Sequence, residues 1–466
     1  MRFPLLAGLL FAAAAQAAIE PARLVPMRWQ FADPAALSLL QGSAVNCLLM
    51  EPGPEFPALA EAAGKRDLLA LGIVRPGPDA ARQVQKLLDA KARGIVLEGD
   101  FPAPLAARLR GEIQGRNALL VEITPATRMN FGSQEPILAT TSGVWPGIEI
   151  QDDGKSKAGP TGSAWINTNM GLLQAARMMS GGAQIWLGIR PPEKQVILPE
   201  RYLQAVADAA AAGAHWIISL DSNLTAALSR QDPRAVKTWN RIAALTTWFE
   251  QHPLTRDLPP GGKFAILQDE QHGALISGGI MDMISTKHTP VRPVSPALLS
   301  PRMLDGVSIT LNVEPEALTP AQKDVLRTWQ QNGGRMLTAP AGWQDAFGAN
   351  STANTLDAKQ LKLLDAMWQE VSDVIGRRNL GVRLFNVSSV LSSFHAAPAG
   401  RPAVVALVNY ADYPIDNITV HLLGKFTSAS LYLPDGKEKD LEVYDVQDGT
   451  GVDIDSVASC AILRVQ

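Results

Sequence analysis

Several short apolar runs of this sequence carry an acidic residue at or near their end. They are GIVLEGD with Glu98 and Asp100, PGIEIQ with Glu149, and HWIISLD with Asp221. In each run the acid alternates with apolar residues, as side chains do on the two faces of a β-strand. Cleavage of a glycosidic bond uses two carboxylates, one as proton donor and one as nucleophile or base. We therefore predict that the catalytic pair is drawn from Asp221, Glu98 and Glu149.

Further polar and aromatic residues around these acids are candidates for binding a sugar. The candidates are strand-end acids, two indoles, an amide and a guanidinium: Asp100, Glu122, Glu51, Trp145, Trp165, Asn167 and Arg190. Indoles present apolar faces on which sugar rings stack, and amides bind hydroxyl groups. Each residue type also has a structural alternative. The acids could cap helices or pair with Arg and Lys, the tryptophans could fill a core, and Arg190 could form a surface ion pair instead of holding an acidic sugar.

The stretch from Gly143 to Gly171 brings Glu149, both candidate tryptophans and Asn167 together. Long connections without regular structure are uncommon and tend to be functional. We predict that this stretch lies over the mouth of a barrel.

The elements that must position these residues are eight short β runs separated by segments of helical periodicity. The runs are 44–51, 68–74, 94–100, 118–125, 137–142, 146–151, 183–189 and 215–221. Strands that alternate with helices predict a parallel sheet, and eight of them predict a (β/α)8 barrel with its site at the C-terminal strand ends. The fifth unit leaves no room for a helix, and an open doubly wound sheet is the alternative. Five strands are expected to place an inward-facing acid on one rim: Glu51, Glu98, Glu122, Glu149 and Asp221.

The composition changes twice after the barrel, which we assign to residues 19–257. LPPGG (258–262) is a candidate linker. The α/β pattern of 262–350 predicts a small Rossmann-like domain, in which Thr319, Pro320 and Gln322 form a helix-start signal. A helical connector over 351–380 leads into short alternating runs over 381–466, which predict a C-terminal β-sandwich. The predicted fold class is therefore α/β, a (β/α)8 TIM barrel followed by these two domains.

The N-terminus and the composition indicate an exported protein. Residues 1–18 combine Arg2, an apolar run and an A-x-A site, so we predict a secretory signal peptide and a periplasmic or extracellular location. The net charge of -3 argues against a nucleic-acid partner, and no later stretch predicts a membrane span. No metal or other cofactor is predicted, because the histidines lack ligand spacing. Cys47 and Cys460 are expected to be buried small hydrophobic residues instead of a disulfide.

The domain order resembles that of secreted bacterial glycoside hydrolases. The small α/β domain contains LTPAQKDVLRTWQQNGGRMLTAP, and the sandwich contains VVALVNYADYPIDNITVHL. The order is most similar to the architecture of family 42 β-galactosidases, in which a glutamine-amidotransferase-like domain follows the catalytic barrel. The resemblance covers nearly the whole mature chain. It implies a carbohydrate substrate. Because both cysteines lie outside 262–350, the second domain is expected to be structural and could serve as a homo-oligomer surface.

Two departures from that family concern the catalytic residues. The family carries an Asn-Glu pair at the end of the fourth strand and a second Glu on the seventh. Here the predicted fourth strand ends in Glu122, Ile123 and Thr124, and the predicted seventh reads IWLGIR. The second domain also lacks the Cys that amidotransferase chemistry needs. The predicted function is an exported glycoside hydrolase, and the alternative is a barrel that binds carbohydrate without cleaving it.

Overall fold

The computed structural model describes residues 20–151, 153–157, 164–193, 195–268, 275–339, 358–397, 400 and 402–466. The predicted signal peptide therefore lies outside the described residues. Among the described residues, the first part of the chain contains ten strands: β1 Pro26–Trp29, β2 Cys47–Met50, β3 Leu69–Val74, β4 Gly94–Glu98, β5 Leu119–Thr124, β6 Ile137–Thr140, β7 Gly147–Ile148, β8 Ile166–Asn167, β9 Gln184–Leu187 and β10 His215–Trp216.

Eight of these strands form one parallel sheet in the order β1-β2-β3-β4-β5-β6-β9-β10. A parallel bridge between Met27 and Ile218 joins its two edges, and Arg28 N–H donates to the Ile218 carbonyl at 2.8 Å. The sheet is therefore closed into a barrel, and the predicted (β/α)8 fold is confirmed.

Helices cover the outside of the barrel. They are α1 Phe56–Gly64, α2 Ala80–Asp89, α3 Ala103–Gln114, α4 Met170–Met179, α5 Pro199–Ala211, α6 Ser222–Ser229, α7 Pro233–Gln251 and α8 Leu254–Asp257. Between β5 and β6 the chain forms only a short 3-10 turn, Ala126–Arg128.

One of the eight predicted barrel strands was wrong and one barrel strand was missed, although the number eight was right. The prediction began at residue 44 and missed β1, whose four residues include an arginine and so show no apolar alternation. It also included 146–151, where β7 pairs antiparallel with β8 in a two-stranded ribbon outside the barrel sheet. With the corrected count, Gly94–Glu98 is the fourth barrel strand. A glutamate, Glu98, therefore ends the fourth strand.

The barrel interior is a packed apolar core, as expected for this fold. Alternate residues of the strands fill it: Cys47, Leu49, Leu71, Ile73, Val96, Val121, Ile123, Ile137, Ala139, Trp186 and Ile217. Trp186 is fully buried. Because this core blocks passage through the barrel, the polar inward-facing side chains collect at its C-terminal end.

The second part of the chain is a smaller α/β unit. Its strands are β11 Phe264–Leu267, β12 Val291–Val294, β13 Ile309–Asn312 and β14 Arg335–Thr338, in the parallel order β12-β11-β13-β14. Its helices are α9 Leu275–Ser285, α10 Pro320–Gln331 and α11 Ala358–Ile375. Thr319 and Gln322 form the predicted capping box of α10. The unit docks on the barrel through α4 and α9, where Gly171 N–H donates to Asp282 at 2.7 Å.

The C-terminal part consists of two antiparallel sheets. Its strands are β15 Val382–Phe385, β16 Val390–Ala396, β17 Ala403–Asn409, β18 Ile415–Leu423, β19 Ala429–Tyr432, β20 Glu438–Leu441, β21 Val443–Val446, β22 Gly449–Val457 and β23 Cys460–Val465. They pair as β15-β18-β22-β21 and β16-β17-β23-β19-β20 around a shared apolar core, as predicted. Cys47 and Cys460 are free and buried, which confirms their assignment as core residues. Within the described ranges, no helix is long and apolar enough to cross a membrane.

Candidate functional site

Glu98 forms a buried ion pair at the C-terminal end of the barrel. It follows Val96 on the inward face of β4, and Arg28 projects toward it from β1. The Arg28 Nη1 atom lies 3.3 Å from Glu98 Oε2, and Nη2 contacts Oε1. Only 4% of Arg28 and 8% of Glu98 is exposed. Neither charge could remain buried without the other, since an unpaired buried ion is costly.

Two more arginines reach the same carboxylate. Arg75, which follows β3, places Nη2 3.1 Å from Glu98 Oε2. Arg190, beyond the end of β9, places Nη2 3.0 Å from Oε2 and 3.3 Å from Oε1. Burial acts to raise the pKa of Glu98, but the charges and hydrogen bonds of these arginines outweigh it, so the pKa lies below its ordinary value. Glu98 is therefore ionised at neutral pH.

Glu51 completes the group from the end of β2. Its two oxygens each accept from Arg75 at 2.6 Å, and Arg75 Nη2 is shared with Glu98. Because both carboxylates contact one nitrogen, at 2.6 and 3.1 Å, their nearest oxygens lie at most about 6 Å apart. This upper limit includes the ~5 to 5.5 Å carboxyl spacing used for retaining glycoside cleavage. Arg28, Glu51, Arg75, Glu98 and Arg190 are called the mouth cluster below.

Asp221 has a structural role, as the cap of a helix. It is the N-cap of α6, and its side chain accepts from the backbone N–H groups of Asn223 at 2.7 Å and Leu224 at 2.9 Å. Its other oxygen accepts a hydrogen bond from the Tyr202 hydroxyl. This is the helix-capping alternative. The structure does not bring Asp221 into contact with the mouth cluster.

Glu149 lies on the ribbon and not on a barrel strand, so the expectation that it faces the interior was wrong. It pairs with Lys157 at 3.1 Å, and the Lys157 ammonium lies 5.2 Å from the centre of the Trp165 ring. Trp165 Nε1 donates to Asn167 Oδ1 at 2.9 Å. These four side chains therefore form a group of their own, separate from Glu98. The ribbon is held against α5 by Arg201, which donates to the Ile148 carbonyl at 3.4 Å.

Glu122, Asp100 and Trp145 also fall outside the mouth cluster. Glu122 points away from the barrel interior and is held by Arg110 of α3, with 2.7 Å to Nε and 2.9 Å to Nη2. Its predicted inward orientation was wrong, because Val121 and Ile123 occupy the inward positions of β5. Asp100 pairs with Arg128 at the exposed surface.

Trp145 is partly buried and packs against the core. Its ring stands edge-on to Tyr202 at 5.7 Å and to Trp216 at 5.5 Å. The core-packing alternative therefore describes this indole.

Two residues of the mouth cluster, Arg28 and Arg75, were not predicted. Arg28 takes an inward position only once PMRW is recognised as a strand. Arg75 follows LALGIV directly, at the parity of Leu71 and Ile73. A search for every charged residue at a strand end, instead of acids alone, would have found Arg75.

The geometry defines a closed (β/α)8 barrel whose mouth holds paired carboxylates and guanidiniums. Neither a known family model nor a curated protein matches the sequence. Solved structures do share the fold, and glycoside hydrolases are among them, which confirms the expected α/β barrel.

Two of these structures illustrate the likeness. An α-L-fucosidase isoenzyme from Paenibacillus thiaminolyticus superposes with a TM-score of 0.62 at 10% identity, covering 96% of this chain and 100% of its own. A β-galactosidase from Rahnella sp. R3 has a TM-score of 0.54 at 8% identity, with 95% and 98% covered. At such identities the likeness establishes the fold of the chain and not its chemistry.

Proposed function

We propose that this protein binds a carbohydrate at the mouth cluster and does not cleave it. The fold supports a carbohydrate ligand by analogy, since glycoside hydrolases of solved structure share it. The observation that supports the lack of cleavage is the contact between Arg190 and Glu98. In the family that the sequence resembles, the fourth and seventh strands each supply a glutamate. Here the fourth ends in Glu98, and Arg190 follows the seventh.

The protonation state of Glu98 argues against its use as the proton donor of a hydrolase. A glycosidase needs a carboxylic acid that keeps its proton until the leaving oxygen takes it, which requires a raised pKa. The pKa of Glu98 is lowered instead, because three guanidiniums surround it. A carboxylate whose lone pairs are all engaged by arginines is also a poor nucleophile.

A second candidate, glycoside hydrolysis, is favoured by the short separation of Glu51 and Glu98. In that reaction Glu98 would attack the anomeric carbon while the bond to the leaving oxygen breaks and Glu51 gives that oxygen its proton. Glu51 would then remove a proton from the water that releases the sugar from Glu98. This sequence requires Arg75 to leave Glu51, since the guanidinium holds both oxygens of that acid.

The two candidates are separated by measuring binding and cleavage on the same samples. Purified protein is tested against a broad panel of oligosaccharides for saturable binding and for release of reducing sugar. The proposal expects binding without release. Release that disappears in both Glu51→Gln and Glu98→Gln would replace it with the hydrolase. No binding to any glycan would overturn both.

Export from the cytoplasm remains a proposal that rests on the N-terminal sequence. Arg2, the apolar run and the A-x-A site motivate it. N-terminal sequencing of protein collected from periplasmic and culture fractions should find a chain that starts after Ala17 or Ala18. Recovery of the intact N-terminus in the cytoplasm would contradict export.

A further inference from the structure

The mouth cluster has more positive than negative charges. Three guanidiniums face two carboxylates, and within the described ranges no other residue forms an ion pair with the five. The positive charges of Arg28 and Arg190 act on each other across Glu98. An additional anion at this place would offset that repulsion.

Arg190 is available to a ligand. Half of its side chain is exposed, and its hydrogen bonds to Glu98 use Nη2 alone. In the part of the chain that the structure describes, Nη1 and Nε have no hydrogen-bond partner. The guanidinium therefore keeps donors for a second acceptor while it stays against Glu98.

Arg75 is held more loosely than Arg28. Its pair with Glu51 lies at the surface, where 47% of the arginine and 50% of the glutamate side chain is exposed. Exposed ion pairs contribute little free energy, so another carboxylate can take the place of Glu51 at small cost. Arg28, in contrast, is buried and remains committed to Glu98.

We infer that the mouth cluster binds a uronic-acid residue of a glycan, whose carboxylate Arg75 and Arg190 hold. The inference rests on the carbohydrate binding proposed above and names the class of sugar. A carboxylate matches the planar fork of a guanidinium and accepts two parallel hydrogen bonds. A neutral sugar would leave the excess charge unbalanced, whereas a uronate balances it.

The test is calorimetric titration of the full mature chain with uronic-acid oligosaccharides, neutral oligosaccharides of equal length, and sulfated neutral ones. The wild type should bind at least one uronate about tenfold more tightly than its neutral counterpart, as loss of a charge-assisted hydrogen bond implies. Added salt should weaken this preference. Arg190→Gln should abolish it. Arg108→Gln, an exposed arginine of α3 paired with Glu112, removes the same charge elsewhere and should not change it.

Glu51→Gln gives a result that a merely structural role would not produce. It removes the anion that competes for Arg75, so uronate binding should tighten by roughly threefold or more. This variant also keeps the inference testable if Arg190→Gln fails to fold.

The other possible results would each contradict either the uronic-acid assignment or the proposed carbohydrate binding. Equal binding of uronates and neutral sugars, unchanged by Arg190→Gln, removes the uronic-acid assignment but keeps carbohydrate binding. Equal binding of sulfated glycans shows that any negative charge suffices and also removes the assignment. Absence of binding throughout removes the proposed function itself.

Discussion

Arg190 and Glu98 meet at the barrel mouth from the ends of the seventh and fourth strands, with 3.0 Å between Nη2 and Oε2. The contact places a fixed positive charge against an acid at the fourth-strand position. Together with Arg28 and Arg75, it makes Glu98 the carboxylate on which all three guanidiniums of the mouth converge.

Glu98→Gln is expected to lower the free energy of unfolding by about 3 kcal/mol, because it leaves the buried Arg28 without a counter-charge. Chemical denaturation monitored by circular dichroism measures the loss. Glu51→Gln, at the half-exposed position, is the matched control and should cost less than about 1 kcal/mol. Equal costs for the two variants would show that burial does not set the importance of Glu98.

Acid should weaken the fold through Glu98. Since its pKa is lower in the folded protein than in the unfolded chain, its stabilising contribution is present above the unfolded value and is lost as the pH falls through the folded one. Unfolding free energies between pH 7 and pH 3 should therefore decline more steeply in the wild type than in Glu98→Gln. Parallel curves would contradict this expectation.

His395 should add a second acid-sensitive step. The side chain is fully buried, and its ring contacts the Ala211 carbonyl at 2.9 Å and the Leu258 carbonyl at 3.2 Å. Burial, with the nearby charge of Arg177, lowers its pKa to about 4, although the two carbonyls act in the opposite direction.

The stability that depends on neutral His395 is thus present above the unfolded pKa near 6.5 and is lost as the pH falls toward 4, on the order of 3 kcal/mol in all. The melting temperature should drop between pH 7 and pH 5 in the wild type and much less in His395→Gln. An identical drop in both would reject His395 as the cause.

Gly171 sets the distance between α4 of the barrel and α9 of the second unit. A Cβ atom at this position would lie 2.3 Å from the Gly278 carbonyl oxygen. Gly171→Ala should therefore force the helices apart and cost about 1 to 3 kcal/mol, with increased protease sensitivity in the second unit. Gly279→Ala is the control, since nothing lies within 4 Å of its added methyl group, and it should be neutral or slightly stabilising.

Asp221→Asn tests whether the cap of α6 has any part in the site. The side chain is committed to Asn223, Leu224 and Tyr202. Asparagine caps a helix about as well as aspartate, but its amide nitrogen cannot accept from the Tyr202 hydroxyl, so the variant should lose about 1 kcal/mol of stability and keep glycan binding unchanged. Loss of binding without loss of stability would return Asp221 to the site as first predicted.

The barrel was predictable from sequence because seven of its strands are apolar runs at regular spacing. Strand β1 was not predictable, because its four residues include an arginine and show no strand pattern. Only its pairing with β2 and Ile218 identifies it as part of the sheet. Glu98 was identified as important from its strand-end position. Its role in an ion-pair cluster was not predicted, because Arg28, Arg75 and Arg190 lie 70, 23 and 92 residues away in the sequence and no local pattern connects them with Glu98.

Closure of the barrel between Met27 and Ile218 has a consequence for how the chain acquires its fold. Strand β1 can pair with the segment at Ile218 only after the polypeptide has been synthesised past residue 218. Until then one edge of β1 is unpaired. Unpaired parallel edges invite association with other chains. Fragments that stop before Ile218 should therefore aggregate, and the first strand, although made earliest, becomes fully paired only with the eighth.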